Sequence, residues 1–125
     1  MDDNERTEQG LTTRREVLGN DHVDRAIART TEFTRPFQDL ITRYAWGDIW
    51  SRPGLSRPER SMITLTALAV LRQDEELAMH VSAAVRNGLS VSQIQEVLLQ
   101  VAVYAGVPAA NRAFAIAADV LENAT

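Results

Sequence analysis

The sequence predicts an all-α protein, a single-domain helical bundle of about six helices built around a buried antiparallel helical hairpin. Two capping boxes, Ser56 with Glu59 and Ser90 with Gln93, each open a stretch of helical apolar spacing. Met62 to Leu71 is apolar almost all round, as a central, fully surrounded helix would be. No alternating strand pattern and no internal repeat interrupts this picture.

With 125 residues and 45% hydrophobic content, one compact domain over 1–125 is expected. The absence of cysteine removes disulfides, thiolate nucleophiles and thiolate metal sites together. A polar, acidic amino terminus shows no secretory or transit signal, and Met62 to Leu71 is too short to span a bilayer, so no membrane association and a cytoplasmic location are expected. A net charge of -4 with scattered arginines gives no footprint for nucleic acid and leaves small molecules or further copies of the chain as partners. All 13 basic residues are arginine, so no lysine exists to form a Schiff base or hold pyridoxal phosphate.

Residues 1–19 read as a charged N-terminal arm carrying a short helix, docked by Val17 and Leu18 and closed at Gly19. A new helix opens at Asn20-Asp21 and ends near Phe33, ahead of Pro36; Thr34 caps the next. Phe33, Phe37, Leu40, Ile41 and Tyr44 recur at helical spacing, which places them against one surface. From Trp46 to Leu55 glycine and proline break regular structure, yet Trp46 and Trp50 demand burial, as the end of the core or as a pocket wall.

The stretch 55–106 holds the core hairpin and the helix after it. Ser61 and Arg72, 11 positions apart on the first hairpin helix, point to one side. His80 shares the apolar stripe of the second with Leu77, Val81 and Ala84, and Asn87-Gly88 ends it in a left-handed turn. Ile94, Val97, Leu98, Val101, Tyr104 and Ala105 form one face of the following helix. Leu99 and Val103 form a second apolar strip, surplus to a monomer, that suggests a subunit contact. Gly106 stops that helix and Pro108 starts the last, with Ala110, Phe114, Ala117 and Leu121 on its packing face.

Chemistry concentrates at the hairpin. The two histidines, His22 and His80, lack metal-ligand spacing, the glycines form no phosphate cradle, and no Gly-x-Ser-x-Gly elbow occurs. What survives is acid-base chemistry without metal or cofactor. Glu76 stands four residues before His80, within reach of a ring nitrogen, and Arg72 stands four before Glu76. Together they are expected to form a buried polar network that makes His80 a useful general acid near neutral pH. The plain structural alternative is a core histidine bonded to the previous turn.

The block Trp46-Gly47-Asp48-Ile49-Trp50-Ser51-Arg52-Pro53-Gly54-Leu55 resembles the 4-carboxymuconolactone decarboxylase family. So do Arg60-Ser61, Asp74-Glu75-Glu76-Leu77 with His80, Asn87-Gly88 and Tyr104-Ala105-Gly106-Val107-Pro108-Ala109-Ala110-Asn111. In the arm, Gly10, Arg14, Val17-Leu18-Gly19 and His22-Val23 are similar too. The resemblance implies an alkyl hydroperoxidase D-like fold. That redox branch carries a glutamate, Cys-x-x-Cys and a histidine on the hairpin; here those positions are Ser61, Gln73 and Glu76, and His80, which excludes its peroxidase chemistry.

The resemblance further implies a cofactor-independent carboxy-lyase of the protocatechuate branch of the β-ketoadipate pathway, acting on an unsaturated lactone dicarboxylate. It also implies a ring-shaped homo-oligomer, a hexamer or a trimer. On that basis His80 is the expected general acid, oriented by Glu76. Arg60 and Arg72 hold carboxylate or oxyanion, Trp46 and Trp50 form the apolar wall, and Ser61 and Arg52 complete the substrate-binding set. Surface pairing of Arg52, Arg60 and Arg72 with Asp48, Glu59 and Glu75 is the structural alternative for the arginines. Two other readings stand beside this one: a non-catalytic oligomeric helical module, and an enzyme for another unsaturated lactone.

Overall fold

The computed structural model describes residues 2–123, and every regular element among them is a helix. Seven α-helices appear where about six were expected: α1 (Asp3–Leu18), α2 (Asn20–Ala28), α3 (Arg35–Ile41), α4 (Arg57–Val70), α5 (Asp74–Arg86), α6 (Val91–Ala105) and α7 (Val107–Asn123). A π-helix, Thr42–Trp50, follows α3 directly. The chain divides into two compact units, Met1–Leu55 and Ser56–Thr125.

In the first unit the expected arm with a short helix is instead a helix of 16 residues. The Asp2 side chain accepts from the Glu5 amide at 2.8 Å, and Asp3 and Glu5 sit in the first turn where the helix dipole favours them. Its buried residues, Gly10, Thr13, Arg14 and Val17, follow the spacing of one helical face. That face lies against the π-helix. A Cβ on Gly10 would stand 2.0 Å from the Thr42 carbonyl oxygen, and one on Gly47 would stand 2.7 Å from the Arg6 carbonyl oxygen, so the two backbones meet directly.

The helix α2 stops at Ala28, five residues short of Phe33, because Thr30 to Thr34 turn the chain through side-chain bonds of Thr31 and Thr34. The aromatic stripe is not packed as expected. Phe33 is 93% exposed and Phe37, Leu40 and Tyr44 are exposed as well, since α3 is only seven residues long and turns this face to solvent. Trp46 to Trp50, expected to be irregular, continues as the π-helix, and Trp46 is buried as its size requires.

The second unit is a four-helix bundle with a continuous core of Leu65, Leu77, Val81, Ile94, Leu98 and Val101 against the alanines of α7. Both capping boxes form. Glu59 N donates to Ser56 Oγ at 3.2 Å and Ser56 N to Glu59 Oε1 at 2.8 Å, while Gln93 N and Ser90 N make the matching pair at 3.0 and 2.9 Å. Ala109, Ala110, Ala113 and Ala117 bury the small-residue side of α7.

The helices of the hairpin, α4 and α5, end in the same way. At α5 the amides of Gly88 and Leu89 donate to Val85 and Ala84, and Gly88 takes φ +103°, the left-handed turn expected there. At α4 the amides of Arg72 and Gln73 donate to Ala69 and Leu68, but the left-handed residue is Arg72, at φ +56°. This is the one non-glycine residue with positive φ among those described.

Contrary to expectation, α4 is not fully surrounded. It buries Ser61, Leu65 and Ala69, whereas Ile63 and Val70 are exposed. An apolar groove of about 560 Å³ opens between α4 and α6, lined by Met62, Ile63, Val70, Val97 and Tyr104. Tyr104, placed by its spacing on the core face of α6, is exposed; Leu99 and Val103 are exposed as their strip required.

Candidate active site

His80 lies midway along α5, on the stripe that buries Leu77, Val81, Ala83 and Ala84. It is 8% exposed and its Nδ1 is shielded from solvent. The acidic first turn of α5, Asp74, Glu75 and Glu76, complements the helix dipole without help from a side-chain cap. Asp74 is tied to α7 by Arg112, whose Nε lies 3.1 Å from Asp74 Oδ2.

The expected network of Arg72, Glu76 and His80 is not made. Glu76 and Arg72 are both exposed, and neither side chain has a hydrogen bond or ion pair among the described residues. Glu76 stands at the hydrated mouth of the hairpin, where its charge avoids the desolvation cost that burial beside His80 would impose. Ser61 and Arg72 do not share a side either, since Ser61 is 2% exposed and Arg72 has left the helix through its left-handed turn.

Arg60 and Arg72 lie twelve residues apart, at opposite ends of α4, or about 18 Å along a helix axis. Arg60 is half-buried, with Nε shielded from solvent, and its carbonyl accepts from Thr64 Oγ1 at 2.8 Å. Next to it, Ser61 Oγ accepts from Asn87 Nδ2 at 3.2 Å, which joins the first turn of α4 to the end of α5. Asn87 was read as a turn residue alone; its amide group also fixes the hydroxyl of Ser61.

Trp46, Trp50 and Arg52 belong to the first unit. The two indoles stack with centroids 5.2 Å apart and planes 29° from parallel. Ser51 Oγ donates to the Trp46 carbonyl at 2.7 Å and lies 2.7 Å from Thr13 Oγ1, which pins the end of the π-helix to α1. Wide turns of this kind are common at functional sites. Arg52 is exposed; Asp48, its candidate surface partner, pairs with Arg6 Nε at 2.8 Å instead. Arg60's candidate, Glu59, is engaged by Ser56 in the capping box.

Sequence reasoning attached no role to Arg14. It is only 7% exposed, and burial lowers the pKa of its guanidinium from the ordinary value. Its position three before Val17 and four after Gly10 was the available signal, because those three residues must share a face. Among the described residues no group of three metal-ligating side chains gathers, and no helix is long and apolar enough to cross a membrane.

Comparison with known proteins agrees with this helical hairpin. A 4-carboxymuconolactone decarboxylase from Acinetobacter baylyi is 42% identical over 123 residues, covering 98% of this chain and 92% of the relative. A nitrosuccinic acid decarboxylase from Metarhizium robertsii is 40% identical over 109 residues, covering 87% and 76%. A 4-carboxymuconolactone decarboxylase from Pseudomonas putida is 46% identical over 48 residues, 38% of this chain and 100% of the relative. The family model described as "Carboxymuconolactone decarboxylase family" matches residues 35–119, and with that match and those identities the chain belongs to this family.

Proposed function

We propose that the protein is a carboxy-lyase that converts 4-carboxymuconolactone to 3-oxoadipate enol-lactone and carbon dioxide, as a soluble cytoplasmic enzyme of protocatechuate catabolism. The observation that carries this reading is the 42% identity to a 4-carboxymuconolactone decarboxylase over nearly the whole chain. Burial of His80 on the hairpin supports its mechanism.

In that reaction the bond from the ring carbon to the carboxylate breaks, and its electron pair passes through the alkene into the lactone carbonyl. The intermediate is a dienolate. Imidazolium at His80 gives its proton to the ring carbon, forming the enol-lactone, and regains one from water. The substrate's own carbonyl is the electron sink, so the chain need supply only a proton donor, cations for the carboxylates and an apolar wall. Arg60, half-buried beside the structural pair Ser61 and Asn87, is the hairpin's arginine for a carboxylate; Arg72 serves at the opposite end of α4. Glu76 acts only through its charge, one turn from His80.

A second reading is favoured by the 40% identity to a nitrosuccinic acid decarboxylase. There a nitro group replaces the lactone carbonyl as electron sink, and the proton donor has the same task. The test is carbon dioxide release by the purified protein from freshly generated 4-carboxymuconolactone and from nitrosuccinate, with His80→Ala beside it. Release from the lactone that disappears in the variant supports the first reading. Release from nitrosuccinate alone supports the second, and release from neither points to a non-catalytic module.

The family resemblance to a homo-oligomer finds a surface here. Ile63, Val70 and Tyr104 leave an apolar face across α4 and α6, and a second copy of the chain is its proposed occupant.

A further inference from the structure

The groove between α4 and α6 and the exposed strip of α6 have opposite shapes. The groove is a hollow of about 560 Å³ with Met62, Ile63 and Val70 along one helix and Val97 and Tyr104 along the other, and no charged residue lines it. The strip is convex: Leu99 and Val103, both exposed, stand one turn apart on α6. A ridge of this spacing is what a groove between two helices accepts. At about 100° per residue, the strip lies roughly 130° around α6 from the row of Val97, Gln100, Val101 and Tyr104 that borders the groove. Charge agrees with the fit, since α6 carries one charged residue, Glu96, at the N-terminal end of the strip, and Leu99 and Val103 bring none into an uncharged groove. Two copies of the groove face to face would leave the hollow empty, whereas interfaces pack as densely as interiors. Other exposed apolar residues give no straight ridge: Leu71, Val91 and Val107 stand singly at helix ends, and Phe33, Phe37 and Tyr44 are divided between a turn, α3 and the π-helix.

We propose that the Leu99 and Val103 ridge of one copy seats in the α4/α6 groove of the next, a head-to-tail contact. This rests on the reading that a second copy occupies the groove, and it names the surface of that copy which does so. A two-fold pair would need ridge and groove to face one partner, and their separation around α6 turns them toward two. Each chain therefore gives its ridge to one neighbour and receives a ridge from another, so the assembly closes on itself or grows as a filament.

The chain has no cysteine, so thiols can be introduced one at a time. The test takes the full chain as Val103→Cys, as Ile63→Cys, as the two single variants co-expressed, and as the double variant. Each is treated with a short thiol-to-thiol cross-linker and run on a denaturing gel, with light scattering of untreated wild type and of Val103→Arg beside it. Each single variant is expected to remain a single chain on the gel, the co-expressed pair to give covalent dimers, and the double variant to give products beyond the dimer. Val103→Arg is expected to reduce the mass in solution to that of one chain with its helical signal intact. Linking within either single variant would mean that like surfaces meet, which overturns the proposal. Wild type of higher mass, with no link in the co-expressed pair or no loss of mass in Val103→Arg, also overturns it while leaving a second copy in the groove by another surface. Wild type with the mass of one chain overturns both readings. Should Ile63→Cys fail to fold, Val70→Cys, exposed on the same side of the groove, takes its place.

Discussion

Gly10 of α1 and Thr42 of the π-helix meet backbone to backbone, with the place of a Gly10 Cβ only 2.0 Å from the Thr42 carbonyl oxygen. The obstructing atom is main chain, held in a helix that cannot swing aside. Gly10→Ala is therefore expected to destabilise the first unit by at least about 2 kcal/mol, as a shift of the urea midpoint, whereas Gly54→Ala, with open space around its Cβ, should be near neutral.

Arg72 occupies the left-handed position that Gly88 fills in the matching motif at the end of α5. A side chain there costs on the order of 1 kcal/mol, so Arg72→Gly should raise stability by about that amount. A rise in KM in the same variant would give the retained strain a functional reason. Unchanged KM with added stability would remove Arg72 from the substrate-binding set.

If His80 is the proton donor, His80→Asn should lower kcat by about 10²- to 10⁴-fold with a native circular dichroism spectrum. Glu76 is exposed and makes no bond to the ring, so Glu76→Gln should change kcat by less than about threefold. An equal loss in both would mean that the carboxylate closes on His80 when substrate binds.

The bonds from Ser56 backbone and side chain hold the Glu59 carboxyl below the ordinary glutamate range. A group whose folded pKa is depressed stabilises the fold fully above its unfolded pKa, about 4.3, and loses that contribution as pH falls through the folded value. Glu59→Gln is therefore expected to flatten the acid limb of a stability-versus-pH curve below about pH 4.5, with little change in slope at neutral pH.

A charge on the open face of α4 and α6 should oppose self-association. Tyr104→Arg and Ile63→Glu, both at exposed positions, are expected to leave the helical signal intact and reduce the mass measured by light scattering. Unchanged mass in both would place the subunit contact elsewhere, with the exposed Phe33 and Phe37 as the next candidates.

Local signals were legible wherever the physics acts within one turn of chain. Both capping boxes, the left-handed Gly88, the stop at Gly106 and the inward position of His80 depend on neighbours no more than about four residues away. The face of α1 was not legible, because glycine, threonine and arginine bury it together with Val17 and give no apolar stripe to read. Apolar spacing also misled at Phe33, Phe37 and Tyr104, where the periodicity is real but the side chains are exposed among the described residues.

By itself the sequence determined an all-helical chain, its hairpin and its family, since helix caps, periodicity and motif residues are written locally. Only tertiary structure decided that Arg14 is buried with no carboxylate partner among the described residues, that Glu76 stands in solvent, and that Gly10 admits a π-helix. Each of those depends on which surface meets a distant segment, and a desolvated charge or a backbone contact has no signature until that meeting occurs.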